Sequence, residues 1–210
     1  MKMSPPLPFL PPGLAGKTIF MCMMAYAGAP EEAEKALAPF RALARPYADL
    51  VAPGPYSSMY MPEPDVRLAF GVRSRLIDSF GRAEAQAVID AIERSDALIA
   101  LGEIRVLGGA MARVPVEATA FAHRQSRTMV SFIGVTPDPA DAPRQAEWAQ
   151  TGIEAIAHDG DRVYVNFIVG DKVDRRGAAY PPATMARLRQ IKRRYDPDNL
   201  FRLNQNIVPA

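Results

Sequence analysis

Two hydrophobic rhythms alternate along the chain. Apolar residues three or four apart mark helices, and alternating or continuous apolar runs mark strands. Lys17 to Tyr26 is a nearly continuous apolar run stopped by Gly28-Ala29-Pro30, and it reads as a core strand. Glu31 to Ala44 reads as a helix, with Pro30 ahead of it, acids in its first turn, and Arg41 and Arg45 near its end. Its residues Ala36, Leu37, Phe40 and Leu43 share one face. Residues 46–67 form a proline-rich connection. Arg82 to Arg94 is a second amphipathic helix, with Val88, Ile89 and Ile92 expected inward.

Downstream the period shortens. Ala97 to Leu107 reads as a strand with Leu98, Ala100, Gly102, Ile104 and Val106 on one face, followed by a Gly108-Gly109 turn or bulge. Arg127 to Val135 is another strand, ended by Thr136-Pro137-Asp138-Pro139. Ala142 to Ala157 is a helix carrying Trp148, and His158-Asp159-Gly160-Asp161 is a turn. Arg162 to Val169 reads as a strand. Ala183 to Tyr195 is the last helix, closed by Asp196-Pro197-Asp198-Asn199. The short connections after Leu107 and Ala157 favour an α+β fold, a mostly antiparallel sheet with helices packed on one face. Residues 1–16, with five prolines, read as a tail or linker, and 17–210 as one domain.

Composition narrows the function classes. With 25 basic and 23 acidic residues the formal charge is +2, which lacks the concentrated basic field expected of a nucleic-acid or membrane-surface protein. A single cysteine, Cys22, excludes an internal disulfide framework. Its apolar setting reads as a buried, inert thiol. With two histidines, His123 and His158, no histidine-rich metal centre is expected. No apolar run reaches the ~18 residues of a membrane-spanning helix, and a proline-broken start argues against a signal peptide, so a cytoplasmic protein is expected.

The common catalytic signatures are absent: no phosphate-binding loop, no Gly-x-Ser-x-Gly elbow, no His-Glu-x-x-His. His123-Arg124 before a strand is either a substrate-facing pair or a structural hydrogen-bonding pair. The basic run Arg187, Arg189, Lys192, Arg193 and Arg194 reads as a solvated helix face suited to the helix dipole. In Tyr164-Val165-Asn166-Phe167, strand alternation would place Tyr164 and Asn166 together and Val165 and Phe167 opposite. Asparagine offers donors and an acceptor, which match the alternating N–H and C=O edge of a flavin pyrimidine.

The C-terminal third carries a longer pattern. Tyr164-Val165-Asn166-Phe167 is followed by Ala179-Tyr180, Arg187-Leu188, Lys192, then Tyr195-Asp196-Pro197-Asp198-Asn199-Leu200-Phe201 and Asn204-Gln205-Asn206-Ile207-Val208-Pro209. This resembles the C-terminal signature of berberine bridge enzyme-like FAD-linked oxidases in their bacterial form. Gly108-Gly109-Ala110, Ala118 to Arg124 and Pro53 to Tyr60 extend the resemblance upstream, so that it runs from about Lys17 onward.

The resemblance implies the substrate domain of such an oxidase, with its berberine-bridge-like segment at about 160–210. The family's N-terminal FAD-binding domain lies outside these residues. It implies FAD as cofactor, with Tyr164 and Asn166 on the flavin-facing strand and Asn204 and Gln205 in the terminal segment beside the cofactor domain. Relatives often place a tyrosine or histidine after that asparagine, suited to proton abstraction. Here Phe167 stands there, and Phe132 stands where others carry a polar catalytic residue, so no catalytic base is assigned. Phe167, Phe132 and His123 are instead expected to line a substrate pocket.

The implied reaction is a two-electron oxidation of a small organic substrate with hydride passing to the flavin. A separate FAD-binding domain, or self-association through an uncovered apolar sheet face, is the expected partner. The alternatives are a stand-alone small-molecule-binding or protein-interaction module without redox activity, or a truncated remnant.

Overall fold

A computed structural model describes residues 1–3, 9–60, 67–158, 160–170 and 174–210. The chain divides into two compact units, Met1–Arg67 and Leu68–Ala210, where the sequence places the boundary near residue 16.

The first unit has little regular structure. Its described residues hold a two-residue strand β1 (Lys2–Met3), the helix α1 (Pro30–Arg41) and short 3₁₀ turns at Pro12–Leu14 and Tyr56–Met59. Pro30 opens the helix and Glu31 and Glu32 fill its first turn, as the sequence predicts. Arg41 closes it and pairs with both Glu34 and Asp49 at 2.7 Å. The helix ends before the expected Ala44; on it Leu37 is buried and Phe40 exposed, and Leu43, past its end, is exposed.

The strand expected over Lys17 to Tyr26 is not formed. A strand needs a hydrogen-bonding neighbour, and among the described residues of its unit this segment is held at isolated points. Ile19 is bonded to Met1, and the Tyr26 hydroxyl donates to Glu32 at 2.7 Å. Its apolar side chains therefore lie at the surface, with Phe20 83 % and Met23 76 % exposed. Cys22 is exposed for the same reason, not buried as its apolar setting suggests.

The second unit is built on three long antiparallel strands, β2 (Ala69–Ile77), β3 (Ile99–Val106) and β4 (Thr128–Thr136). β4 lies in the centre. It pairs with β2 from Ala69↔Thr136 to Ile77↔Thr128 and with β3 from Ile99↔Val135 to Val106↔Thr128. Eight of its nine residues are buried, which accounts for its nearly continuous apolar sequence. β2 is absent from the sequence reading because Arg73 and Arg75 interrupt its apolar pattern.

Helix α2 (Arg82–Arg94) matches its predicted limits. Gly81 N–H donates to Glu84 at 2.7 Å and caps it. A four-residue helix α3 (Ala110–Arg113) follows the Gly108-Gly109 turn, where both glycines take positive φ (132° and 57°). Helix α4 (Ala142–Glu154) follows β4.

α2 and α4 pack on one face of the sheet. The core between them holds Ile77, Val88, Ile92, Ala100, Val130, Phe132, Ala149 and Ile153. Close approach needs glycine beneath each helix. A Cβ on Gly71 would stand 2.2 Å from the Ala146 nitrogen of α4, and one on Gly102 2.5 Å from Val88 Cγ1 of α2. Trp148 joins the helices, its indole N–H donating to Ala91 O at 2.9 Å. Ile89 is exposed, and so are Leu98, Ile104 and above all Val106 (87 %) of the expected β3 face, because α2 packs on the Ala100–Gly102 part of that strand.

Candidate functional site

Strand alternation sends Leu76 and Met129 to the face opposite the core helices, since their neighbours Ile77 and Val130 point into the core. Two loop systems cover this second face. One runs from α3 through Arg124, and the other comprises residues 162–170 and α5 (Arg176–Ala179). Between them lie two hollows. The first, of about 210 Å³, is lined by Leu76, Leu107, Met111, Phe121, Met129 and Tyr164. The second, of about 230 Å³, shares Phe121 and Tyr164 and adds Asn166, Tyr180 and small apolar residues such as Ala120 and Ala179.

The His123-Arg124 dipeptide holds both walls. His123 Nε2–H donates to Ala178 O at 2.8 Å, fixing the α5 loop. Arg124, only 8 % exposed, donates to Met111 O at 3.1 Å and to Thr119 Oγ1 at 2.6 Å, fixing the α3 loop. Its guanidinium also lies 5.7 Å from the Phe121 ring centre. His123 thus takes the structural hydrogen-bonding role and lines neither hollow.

The strand expected over Arg162 to Val169 is not formed. Only Arg162 O accepts from the sheet, from Leu76 N–H at 2.8 Å, before the chain folds into a 3₁₀ turn over Val165–Phe167. Side chains hold this turn to the sheet. Ser74 Oγ donates to Phe167 O at 3.2 Å, and the Arg105 guanidinium stands 4.7 Å from the Phe167 ring centre. The turn redistributes the side chains. Tyr164 and Phe167 become ring neighbours at 5.8 Å, where a strand would set them on opposite faces. Phe121 meets Tyr164 edge-on at 5.4 Å.

Asn166 lies beside Tyr164, its Nδ2 donating to the tyrosine hydroxyl at 2.7 Å, and is otherwise exposed. Tyr180, half-buried at the second hollow, has its phenol pKa pushed up by burial and secondarily by Tyr164. It stays neutral through ordinary pH. Phe132 lines neither hollow. Its ring is fully buried on the helix side of the sheet, edge-on to Trp148 at 5.7 Å, so the expectation of a pocket residue gives way to a core residue.

The last helix, α6 (Pro182–Tyr195), reaches the α3 loop through Arg187, which donates to Glu117 O at 2.8 Å. Asp196 then accepts from Leu200 N–H at 2.7 Å and Phe201 N–H at 3.1 Å, and Asn199 takes a positive φ of 52°. The tail turns back until Ala210 N–H donates to Arg189 O at 3.3 Å. Asn204 (φ 57°) is exposed and Gln205 half-buried on this return. Arg176 donates to Asn206 O, and the Asn206 side-chain oxygen is buried without a partner. Sequence reasoning missed Met111, Leu107 and Phe121. The signal available for them was the apolar spacing around Gly108-Gly109 and the His-Arg pair.

Comparison with known proteins agrees with the region the sequence singles out. Residues 163–208 match the family model "Berberine and berberine like". The chain is 30 % identical over 103 residues to YvdP of Bacillus subtilis, an uncharacterized FAD-linked oxidoreductase; the match spans 49 % of this chain and 23 % of that protein. It is 31 % identical over 108 residues to the FAD-linked oxidoreductase fogF of Aspergillus ruber, across 46 % and 20 % of the two chains. Among solved structures, chitooligosaccharide oxidase superposes with a TM-score of 0.62 at 22 % identity, over 88 % of this chain and 45 % of that one. Berberine bridge enzyme from Eschscholzia californica gives 0.59 at 20 % identity, over 70 % and 34 %. The chain spans about a fifth to a quarter of the curated relatives' length. Residues 163–208 thus carry the berberine and berberine like segment, and the chain is similar over about half its length to FAD-linked oxidoreductases and shares the fold of part of such enzymes.

Proposed function

We propose that this chain forms the substrate-side region of an FAD-linked oxidoreductase acting on a small organic substrate, completed by an FAD-binding portion. One observation carries the reading. The family-matched residues 163–208 hold the Tyr164–Phe167 turn against the sheet face that bears the two hollows. The donor set there suits one edge of a flavin ring. Asn166 keeps its amide oxygen and one N–H beyond the bond to Tyr164. A bound flavin would supply the two-electron acceptor. The chain's own part is to orient the flavin edge through Tyr164 and Asn166 and to hold the substrate in an apolar hollow. Proton abstraction is not assigned to any side chain here: Phe167 cannot accept a proton, and buried Tyr180 favours its neutral form.

The test is an FAD titration followed by flavin fluorescence and calorimetry, with Asn166→Ala alongside. Saturable binding that weakens in the variant is the expected result. No saturable binding at ~100 μM FAD, where a Kd of that size still fills about half the sites, would overturn the flavin-holding role.

A further inference from the structure

We propose that the hollow between Leu76, Leu107, Met111, Met129, Phe121 and Tyr164 binds the uncharged aromatic ring of a small molecule, and that the substrate class is aromatic and not sugar-like. As a substrate assignment this rests on the oxidoreductase reading; as a binding site it stands without it.

The size is sufficient. An enclosed apolar cavity of roughly 150 Å³ takes up benzene, and this half-open hollow offers about 210 Å³. The lining selects for an aromatic guest. Two methionine thioethers make favourable contacts with ring edges and adapt to different outlines. Phe121 and Tyr164 already sit edge-on to each other, leaving ring surfaces and edges for a third ring. Polar guests are disfavoured. The Tyr164 hydroxyl is the one hydrogen-bonding side-chain group in the lining, and it already accepts from Asn166. A sugar would bring several hydroxyls to a wall with a single partner, and each unpaired hydroxyl opposes binding. The wall is also held in place: Arg124 fixes Met111 through its carbonyl and stands against Phe121.

The test uses the full chain with ¹³C-methyl-labelled methionine and indole as probe, with glucose as the polar comparison. Signals of Met111 and Met129, identified by their loss in Met111→Leu and Met129→Leu, should shift saturably with indole while the thermal midpoint rises. Glucose should bind at least ~tenfold more weakly, if at all. Met111→Trp, whose side chain would occupy the hollow, should fold and lose the indole response.

Unmoved Met111 and Met129 signals at millimolar indole would overturn the proposal. So would an equal response to glucose, or an undiminished indole response in folded Met111→Trp. If that variant does not fold, the wild-type signals decide alone. Indole binding with a failed FAD titration would overturn the flavin-holding role and leave the site. FAD binding without indole binding would do the reverse.

Discussion

Phe132 and Gly152 offer a test of the core that can be worked through from the structure. Phe132 is fully buried, edge-on to Trp148, whose indole is tied to Ala91 O. A Cβ built on Gly152 of α4 would stand 2.9 Å from three atoms of the Phe132 ring. Phe132→Ala should cost about 3–5 kcal/mol, or roughly 6–20 °C in Tm for a chain of this size. Gly152→Ala sets two effects against each other. Alanine in a helix interior gains about 1 kcal/mol over glycine, while overpacking against a ring that cannot move costs about 1–3 kcal/mol. The single variant should therefore be neutral to about 2 kcal/mol less stable. With Phe132→Ala the clash disappears and the full gain of about 1 kcal/mol should emerge, with the added methyl filling part of the void. The cycle predicts a coupling of about 1–3 kcal/mol, measured from urea unfolding of the four proteins. Coupling under ~0.5 kcal/mol, or a Phe132→Ala loss below ~1 kcal/mol, would refute this packing.

Other expectations follow from single contacts. Gly102→Ala should destabilise by about 1–3 kcal/mol, because its Cβ would meet Val88 Cγ1 at 2.5 Å, and urea midpoints will show it. Arg124→Lys should cost about 1.5–3 kcal/mol, since one ammonium cannot replace the fork to Met111 O and Thr119 Oγ1; an unchanged midpoint would remove Arg124 as the wall anchor. Asp96, held down by the Gln145 amide, Glu84, by Gly81 N–H, and Asp196, by Lys192, all have folded pKa values below their unfolded ones. Their contribution is therefore present above pH ~4 and lost as pH falls through the folded values; thermal midpoints that stay level from pH 6 to 3 would contradict this. Exposed Phe20, Met23, Leu200, Phe201 and Leu203 should drive association at micromolar concentration, and a monodisperse monomer in sedimentation would refute it.

How much of this was legible in the sequence depended on whether a signal was local or had to be completed by a neighbour. α2, α4 and α6 were readable because each carries local signals: the Gly81–Glu84 cap and apolar spacing of α2, the early Pro143 and apolar spacing of α4, and Pro182 at the start and Pro197 past the end of α6. β4 was readable because burial on both faces makes its sequence apolar throughout. β2 was hidden, since Arg73 and Arg75 break its apolar pattern and both find partners outside the strand. Arg73 donates to Val169 O and Arg75 pairs with Asp161, residues almost a hundred positions away in the chain. The run Lys17 to Tyr26 has a strand composition, yet composition supplies no hydrogen-bonding neighbour, and the segment stays irregular.

The same distinction governs the site. The berberine-like signature was legible as an ordered series of residues, and the comparisons recover it over 163–208. Its geometry was not legible. Tyr164 to Val169 is rich in strand-forming residues, but one backbone bond joins Arg162 to β2, and the next contacts come from side chains: Ser74 to Phe167 O and Arg105 to the Phe167 ring. Those contacts fix a 3₁₀ turn, and the turn places Tyr164 between Phe121 and Phe167, where it walls both hollows. A strand would have separated Tyr164 from Phe167 across the sheet. The site therefore depends on tertiary contacts overriding local preference at one short segment. For that reason Phe121, Met111 and Leu107, which the motif does not include, shape the hollow more than Phe132 does.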